Sequence, residues 1–257
     1  MKAKKSYGQH FLIDEEISSR IAASLTLSDG LNNVLEVGPG KGMLTKYLIE
    51  KGFNFKAVEA DRDMVSYLQE NYPQLDGKII SEDFLKLNLE EIFGNEPLAL
   101  IGNYPYNISS QIIFKMIDYK DLIPEMVGMF QKEVGERIVA PPGSKTYGII
   151  SVLAQAYYEG ELLIQVGPES FDPPPKVQSV VIKLKRKDHL EIDCNPKVFK
   201  RVVKQAFSQR RKMLRNTMKA FIKGDDLLQS DFFLQRPEQL SVEQFITLTN
   251  WIEERQE

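Results

Sequence analysis

The sequence predicts an α/β protein whose mostly parallel sheet is closed by an antiparallel hairpin and followed by a small all-α segment. Three observations predict it. Short apolar runs alternate with helix-patterned stretches over the first two-thirds of the chain, as in parallel-sheet proteins. Four of those runs end in a polar residue or in a glycine or proline turn. After about Asp188 the apolar period becomes helical, with Phe199, Val202, Val203, Ala206 and Phe207 on one face. The 257 residues therefore divide into an α/β domain over 1–188 and a helical domain over 189–257.

Taken in order, a first strand is expected at 34–37, ended by a glycine-rich turn and followed by helical character over 43–50. A second strand at 55–58 ends at Glu59, and a third at 78–81 ends near Asp83. The fourth, 98–101, runs into Gly102, Asn103, Tyr104, Pro105 and Tyr106, where proline and glycine turn the chain. A fifth is expected at 126–130, and runs at 162–166 and 177–184, with the proline turn 173–175 between them, form the closing hairpin. In open α/β sheets ligands lie beyond the carboxyl ends of the strands, so the endings above define one cleft.

Composition narrows the class. The hydrophobic share of 42% and charged share of 27% are those of a folded globular protein and exclude disordered and fibrous classes. No window approaches the roughly 20 apolar residues that span a bilayer, and Lys2, Lys4 and Lys5 precede no apolar leader, so a cytoplasmic protein with no membrane partner is expected. The lone Cys194 cannot form an internal disulfide, and neither His10 nor His189 has a ligand partner at a metal-binding spacing, so no metal is expected. A net charge of −3 argues against a chain that coats nucleic acid by bulk charge. One stretch departs from this average: 194–223 has no Asp or Glu but carries Lys197, Lys200, Arg201, Lys204, Arg210, Arg211, Lys212, Arg215, Lys219 and Lys223.

The cofactor chemistry is read from the first three strand ends. Glu36, Val37, Gly38, Pro39, Gly40, Lys41 and Gly42 form an E-x-G-x-G-x-G turn, where glycines let backbone approach a ligand closely. Such a turn alone is a common strand-to-helix connection. Glu59, 21 residues after Gly38, adds a carboxylate suited to both ribose hydroxyls, and Asp83 is placed to accept from an adenine amine. The spacing differs from the G-x-G-x-x-G that cradles a pyrophosphate. It favours a nucleoside without phosphates, such as S-adenosylmethionine, and hence a Rossmann-like methyltransferase sheet.

Asn103, Tyr104, Pro105 and Tyr106 then carry the reaction. An adenine N6 amine is a poor nucleophile, because its lone pair is delocalised into the ring, and it must be held in line with the methyl donor. The Asn103 side-chain oxygen and a neighbouring carbonyl, presented by the proline turn, are acceptors for it. Tyr106 offers a stacking plate for an unstacked base.

With these residues in view, the chain resembles the ribosomal RNA adenine dimethyltransferases, most closely the KsgA branch that acts on small-subunit RNA. The resemblance rests on six ordered segments: Tyr7 to Leu12; Glu36 to Gly42; Asn103 to Tyr106; Gln131, Lys132 and Glu133; Phe171, Pro173, Pro175, Lys176, Val177 and Ser179; and Phe207, Arg210, Arg211, Lys212, Arg215 and Asn216. It implies that His10, Leu12, Gly38, Glu59, Asp83 and Asn103 contact S-adenosylmethionine, and that Phe171 joins Tyr106 in sandwiching the target adenine. It implies four methyl transfers in all, two to each of two adjacent adenosines near the 3′ end of the small-subunit (16S) RNA during ribosome biogenesis. Two positions depart from many relatives, which carry Asn where His10 stands and an aliphatic residue where Tyr104 stands; Tyr104 is expected at the rim of the base pocket.

The basic stretch gains a purpose from this resemblance. Lys204, Arg210, Arg211, Lys212 and Arg215 are expected to meet RNA phosphates, with the assembling small subunit as partner and the protein a monomer. Two other functions share much of this sequence: a sister dimethyltransferase of large-subunit RNA that confers antibiotic resistance, and a non-catalytic RNA-binding assembly factor. The C-terminal segment resembles the small-subunit branch better, and a retired enzyme has no chemical reason to keep Asn103, Pro105 and Tyr106. Trp251, among Phe245, Ile246, Leu248 and Ile252, is expected in the core.

Overall fold

The computed structural model describes residues 9–27, 30–222 and 225–255; Lys2, Lys4, Lys5, Tyr7, Gly8 and Lys223, named above, lie outside them. They form two compact units. The first runs to Gly135 and resumes over Glu159–Arg186, and the second comprises Glu136–Tyr158 and Lys187–Glu257. Among the described residues no helix is long and apolar enough to cross a membrane.

The first unit holds β1 (Phe11–Leu12), α1 (Glu15–Ala23), β2 (Asn33–Val37), α2 (Thr45–Ile49), β3 (Asn54–Val58), α3 (Arg62–Asn71), β4 (Ile79–Ile80), β5 (Leu98–Asn103), α4 (Ser109–Asp118) and β6 (Glu125–Gln131). The helix α5 (Lys132–Ile138) leads out of it and α6 (Ile149–Gln155) follows; the chain then returns through β7 (Tyr158–Val166), β8 (Phe171–Asp172) and β9 (Ser179–Arg186). Seven strands make one sheet in the order β4-β3-β2-β5-β6-β9-β7. The pairs among β4, β3, β2, β5 and β6 are parallel, and β9 runs antiparallel to β6. The near-continuous burial of β2, β5 and β6 is what a parallel strand covered on both faces requires.

Each expected strand has a counterpart, with shifted ends. The largest shift that bears on function is at β5, which does not stop before Gly102. Asn103 pairs with Met129 of β6 and so stands on the last residue of the strand, where the ladder fixes its backbone. The order of strands reverses beside β2, with β3 on one side and β5 on the other, which opens a crevice beyond their carboxyl ends.

Two ties hold the N-terminal segment over that crevice. β1 pairs antiparallel with β8, Leu12 opposite Phe171, and the Ile13 amide donates to the Ser170 carbonyl at 2.9 Å. Asp14 caps α1 by accepting from the Ile17 amide at 3.0 Å and accepts from the Ser170 hydroxyl at 3.2 Å. Behind α1, a buried ion pair between Lys183 of β9 and Glu125 of β6 (3.2 Å) fixes the connector to the sheet. Lys183 donates to the Ser24 carbonyl and Glu125 accepts from the Thr26 and Leu27 amides, so both buried charges are fully partnered.

The second unit is helical. Its helices are α6, α7 (Pro196–Phe207), α8 (Leu214–Thr217), α9 (Asp225–Leu228) and α10 (Val242–Glu253). Asn195 caps α7 with its side chain, Pro196 occupies the first turn, and Phe199, Val202, Val203 and Ala206 are buried as their spacing predicts. α7 packs against α10 and α6. The single break expected near 188 thus misses one segment: Glu136–Tyr158 belongs with the second unit. The reason is that Ile150 to Ala154 are buried at every successive position, so α6 needs cover on all sides and lacks the one-sided stripe that betrays a surface helix. Trp251 is half-buried, edge-on to Phe232 at 4.9 Å.

Candidate active site

The crevice beyond β2 and β5 is a cavity of about 410 Å³. It is lined by the glycine turn Gly38–Pro39–Gly40–Lys41, by Glu59 and Ala60 after β3, and by Glu82, Asp83 and Phe84 after β4. Asn103 at the end of β5, Tyr104 to Ile108 after it, and Gln9 to Leu12 from the N-terminal segment also line it. All six residues expected at the cofactor, His10, Leu12, Gly38, Glu59, Asp83 and Asn103, lie on its wall, as do Tyr104, Pro105 and Tyr106.

Local structure explains each placement. Gly40 takes a positive φ of 55°, and a Cβ there would stand 3.1 Å from the Phe11 ring, so the turn both needs glycine and gives its amide to the Glu59 carboxylate at 3.1 Å. The other Glu59 oxygen accepts from the Asp61 amide at 2.9 Å. Burial raises the Glu59 pKa, while the backbone amides of Asp61, Gly40 and Ala60 that donate to it lower it. Asp83 caps the turn Phe84–Lys86 through one oxygen, accepting from the Leu85 amide at 3.0 Å.

Asn103 donates its amide hydrogen to the His10 carbonyl at 3.0 Å, which leaves the side-chain oxygen as an acceptor. Tyr106 donates to or accepts from the Ser179 hydroxyl at 2.5 Å, and Ser109 at the start of α4 donates to the Tyr106 carbonyl at 3.1 Å. The Tyr106 ring is therefore held at both its backbone and its hydroxyl.

The ribosomal RNA adenine dimethylase family matches residues 1–254. The chain belongs to that family. A protein of Flavobacterium johnsoniae named ribosomal RNA small subunit methyltransferase A is 55% identical over 98% of this chain and 97% of its own length. One of the same name from Phocaeicola vulgatus is 54% identical over 98% and 90%. Among solved structures, a dimethyladenosine transferase from Plasmodium falciparum superposes with a TM-score of 0.82 at 24% identity, covering 96% of this chain and 98% of that one. The 23S rRNA methyltransferase ErmE gives 0.69 at 23% identity, covering 93% and 99%. These two likenesses show a shared methyltransferase fold.

Three expectations for this adenine dimethylase need correction. Tyr104 is not at a pocket rim: its ring is 1% exposed and wedged over Gly102 and Gly128, and a Cβ on Gly128 would fall 1.9 Å from a ring carbon. It packs beside Phe130 beneath the acceptor loop, and burial raises its pKa further above the ordinary phenol value. Phe171 is not among the residues lining the cavity. It is 3% exposed and lies in the hydrophobic core with Leu12 and Val181, because the β1–β8 pairing turns it inward. The ring stacked on Tyr106 is instead His10, with centroids 5.3 Å apart and planes at 27°, and the His10 Nδ1 lies 2.8 Å from the Pro173 carbonyl oxygen. The third correction is Arg210, whose guanidinium donates to the Ser144 and Lys145 carbonyls and pins that loop within the second unit. Lys204, Arg211, Lys212 and Arg215 are exposed.

The dimethylase cavity also contains a residue to which the sequence reading gave no role. Glu36 is 1% exposed, accepts from the Thr45 hydroxyl at 2.7 Å, and lines the cavity. Burial, with the nearby Glu59 charge adding to it, pushes its pKa up to about 8. A carboxyl inside the apolar strand Val-Leu-Glu-Val is the feature of the sequence that marks it.

Proposed function

We propose that this chain transfers methyl groups from S-adenosylmethionine to the N6 amines of two adjacent adenosines near the 3′ end of small-subunit ribosomal RNA, as the small subunit assembles. Family membership and the names of relatives more than 50% identical over nearly their whole length support the substrate. The observation that carries the chemistry is that an acceptor amide and an aromatic plate, Asn103 and Tyr106, share one cavity with the glycine turn, Glu59 and Asp83.

The donor set fits that methyl donor. Glu59 and Asp83 face the cavity with carboxyl groups, which suits a ligand with ribose hydroxyls, an adenine amine and positive charge, and disfavours a polyphosphate. A volume of about 410 Å³ is that of a small-molecule site. Glu59 would hold the ribose, Asp83 the adenine amine, and the Gly38 turn the amino-acid end. S-adenosylmethionine, when bound, supplies a sulfonium methyl group to an in-line nucleophile.

The remaining work falls to the chain's own residues. Tyr106 stacks on the flipped-out base, and since His10 lies against it at 5.3 Å, a base entering on that face displaces the imidazole. The Asn103 oxygen accepts from the target amine, directs its lone pair and stabilises the positive charge that develops on nitrogen. Pro105 fixes the turn between them, and Tyr104 supports it from below. Exposed Lys204, Arg211, Lys212 and Arg215 of the helical unit contact RNA phosphates, and the protein acts as a monomer.

The test is methyl transfer by the purified chain to small-subunit particles from cells lacking the modification, read by mass spectrometry of the RNA. Two dimethyladenosines in small-subunit RNA are expected. Methylation of large-subunit RNA alone, or binding without methylation, would overturn the assignment.

A further inference from the structure

One wall of the cavity has less support from the sheet than the others. β4 is a two-residue strand on the sheet's edge, and Asp83 and Phe84 come three and four residues after it. The glycine turn, by contrast, follows the longer interior strand β2, and Asn103 is the last residue of the interior strand β5. An isolated one-turn 3₁₀ segment has little stability of its own, so something outside the sheet must hold Asp83 in place.

Lys115 is positioned to do so. It lies in the last turn of α4, where a lysine ordinarily does no more than complement the helix dipole in solvent. Here it is half-buried, and its ammonium donates to the carbonyls of Leu85 (3.1 Å) and Leu87, across 30 and 28 residues of sequence. It also stands 5.3 Å from the centre of the Phe84 ring, which is buried on the cavity wall. One turn further, Tyr119 donates to the Asn88 side chain at 3.4 Å. Burial lowers the Lys115 pKa while the charges of Asp83 and Glu82 oppose that shift, which places the ammonium within the field of the adenine-facing acids. The other end of α4 is tied to Tyr106 through Ser109. A single helix thus grips both the acceptor loop and the turn that carries Asp83.

We infer that Lys115 is a positioning residue for the methyl donor: it holds the 83–87 turn so that Asp83 and Phe84 meet the donor's adenine. This rests on the proposed reading of the cavity as an S-adenosylmethionine site.

The experiment measures binding of S-adenosylhomocysteine by calorimetry, and KM and kcat for the methyl donor, in the wild type and in Lys115→Met, Lys115→Arg, Asp83→Ala and the Lys115→Met/Asp83→Ala pair. Lys115→Met should weaken binding about tenfold and raise KM similarly, with kcat changed less than about twofold. Lys115→Arg, which keeps a cation able to donate to two carbonyls, should recover most of the loss. In the Asp83→Ala background Lys115→Met should cost less than in the wild type, because part of its effect passes through Asp83. Wild-type affinity in Lys115→Met, a fall in kcat with unchanged KM, or full additivity with Asp83→Ala would overturn the inference. Should Lys115→Met fail to fold, Lys115→Gln takes its place under the same criteria. A wild-type protein that does not bind S-adenosylhomocysteine at all would sink the reading of the site instead, so the two failures are distinct.

Discussion

The cavity of the first unit and the basic stretch of the second use polar groups in opposite ways. In the cavity Glu36, Glu59, Asp83, Asn103 and Tyr106 each accept from or donate to a named neighbour, and two of the acids are almost fully buried. In the basic stretch Lys204, Arg211, Lys212 and Arg215 are exposed, and Arg210 alone of the expected five is tied to backbone carbonyls. Held groups in a low-dielectric site act individually and strongly, whereas exposed cations act by summed charge and weaken with salt. The contrast predicts large, specific consequences of substitution in the first region and small, cumulative ones in the second.

The largest effect should be on stability, through Glu36. Its folded pKa of about 8 lies above the ordinary unfolded value, so the folded state keeps a proton that the unfolded state loses. The favourable contribution is full below the unfolded pKa of about 4.3 and declines as pH rises towards 8; at 1.36 kcal/mol per pKa unit the whole change is at most about 5 kcal/mol. Urea unfolding between pH 5 and 9 should show stability falling through this window, and Glu36→Gln should flatten the slope. An equal slope in both proteins would mean that Glu36 is ionised in the cavity.

Next comes Asn103→Ala, expected to lower methyl transfer about a hundredfold, the usual cost of one preorganised polar contact. Single-turnover rates on small-subunit particles would reveal it, and an unchanged rate would remove Asn103 from the reaction. The third concerns Gly128. Gly128→Ala must displace the Tyr104 ring and should cost about 2 kcal/mol of stability, within the range for overpacked cores. Combining it with Tyr104→Leu should restore most of that loss in a melting experiment. If the double variant is no better than the single, the wedge is not the source of the cost.

The basic stretch then sharpens the comparison. Arg211→Glu with Lys212→Glu should weaken binding of small-subunit RNA about tenfold and reduce the salt slope by about 2, leaving cofactor affinity untouched. Arg210→Ala should instead lower thermal stability with little change in salt slope, because its guanidinium serves a loop. Lys204→Ala, the smallest effect, should reduce affinity only a few-fold. A salt slope altered by Arg210→Ala as much as by the pair would erase the distinction between tied and free cations.

What could be read in the sequence follows the range of the interactions concerned. Gly38, Glu59, Asp83 and Asn103 were legible because parallel strands end at one edge, so short apolar runs with polar endings imply a shared crevice before any contact is known. The burial of Phe171 was not legible: it follows from a two-residue pairing with Leu12, some 160 positions earlier, and two-residue strands leave no periodicity. Tyr104 was misplaced for a related reason, since its seat is made by the absence of a side chain at Gly128 on the neighbouring strand. Arg210 looked like its neighbours in a charge run, and only the fold singles out the one that meets a loop.

The pairing of β1 with β8 has a consequence for the order in which the molecule becomes competent. His10 and Leu12 form part of the cavity wall, yet the strand that anchors them is not completed until residue 172 has been made. A nascent chain that has left the ribosome only as far as β6 already possesses its glycine turn, its acids and Asn103, but its roof has nothing to fasten to. A nascent fragment that ends after β6 should therefore remain an open, unroofed crevice until residue 172, about two-thirds of the way along the polypeptide, has emerged.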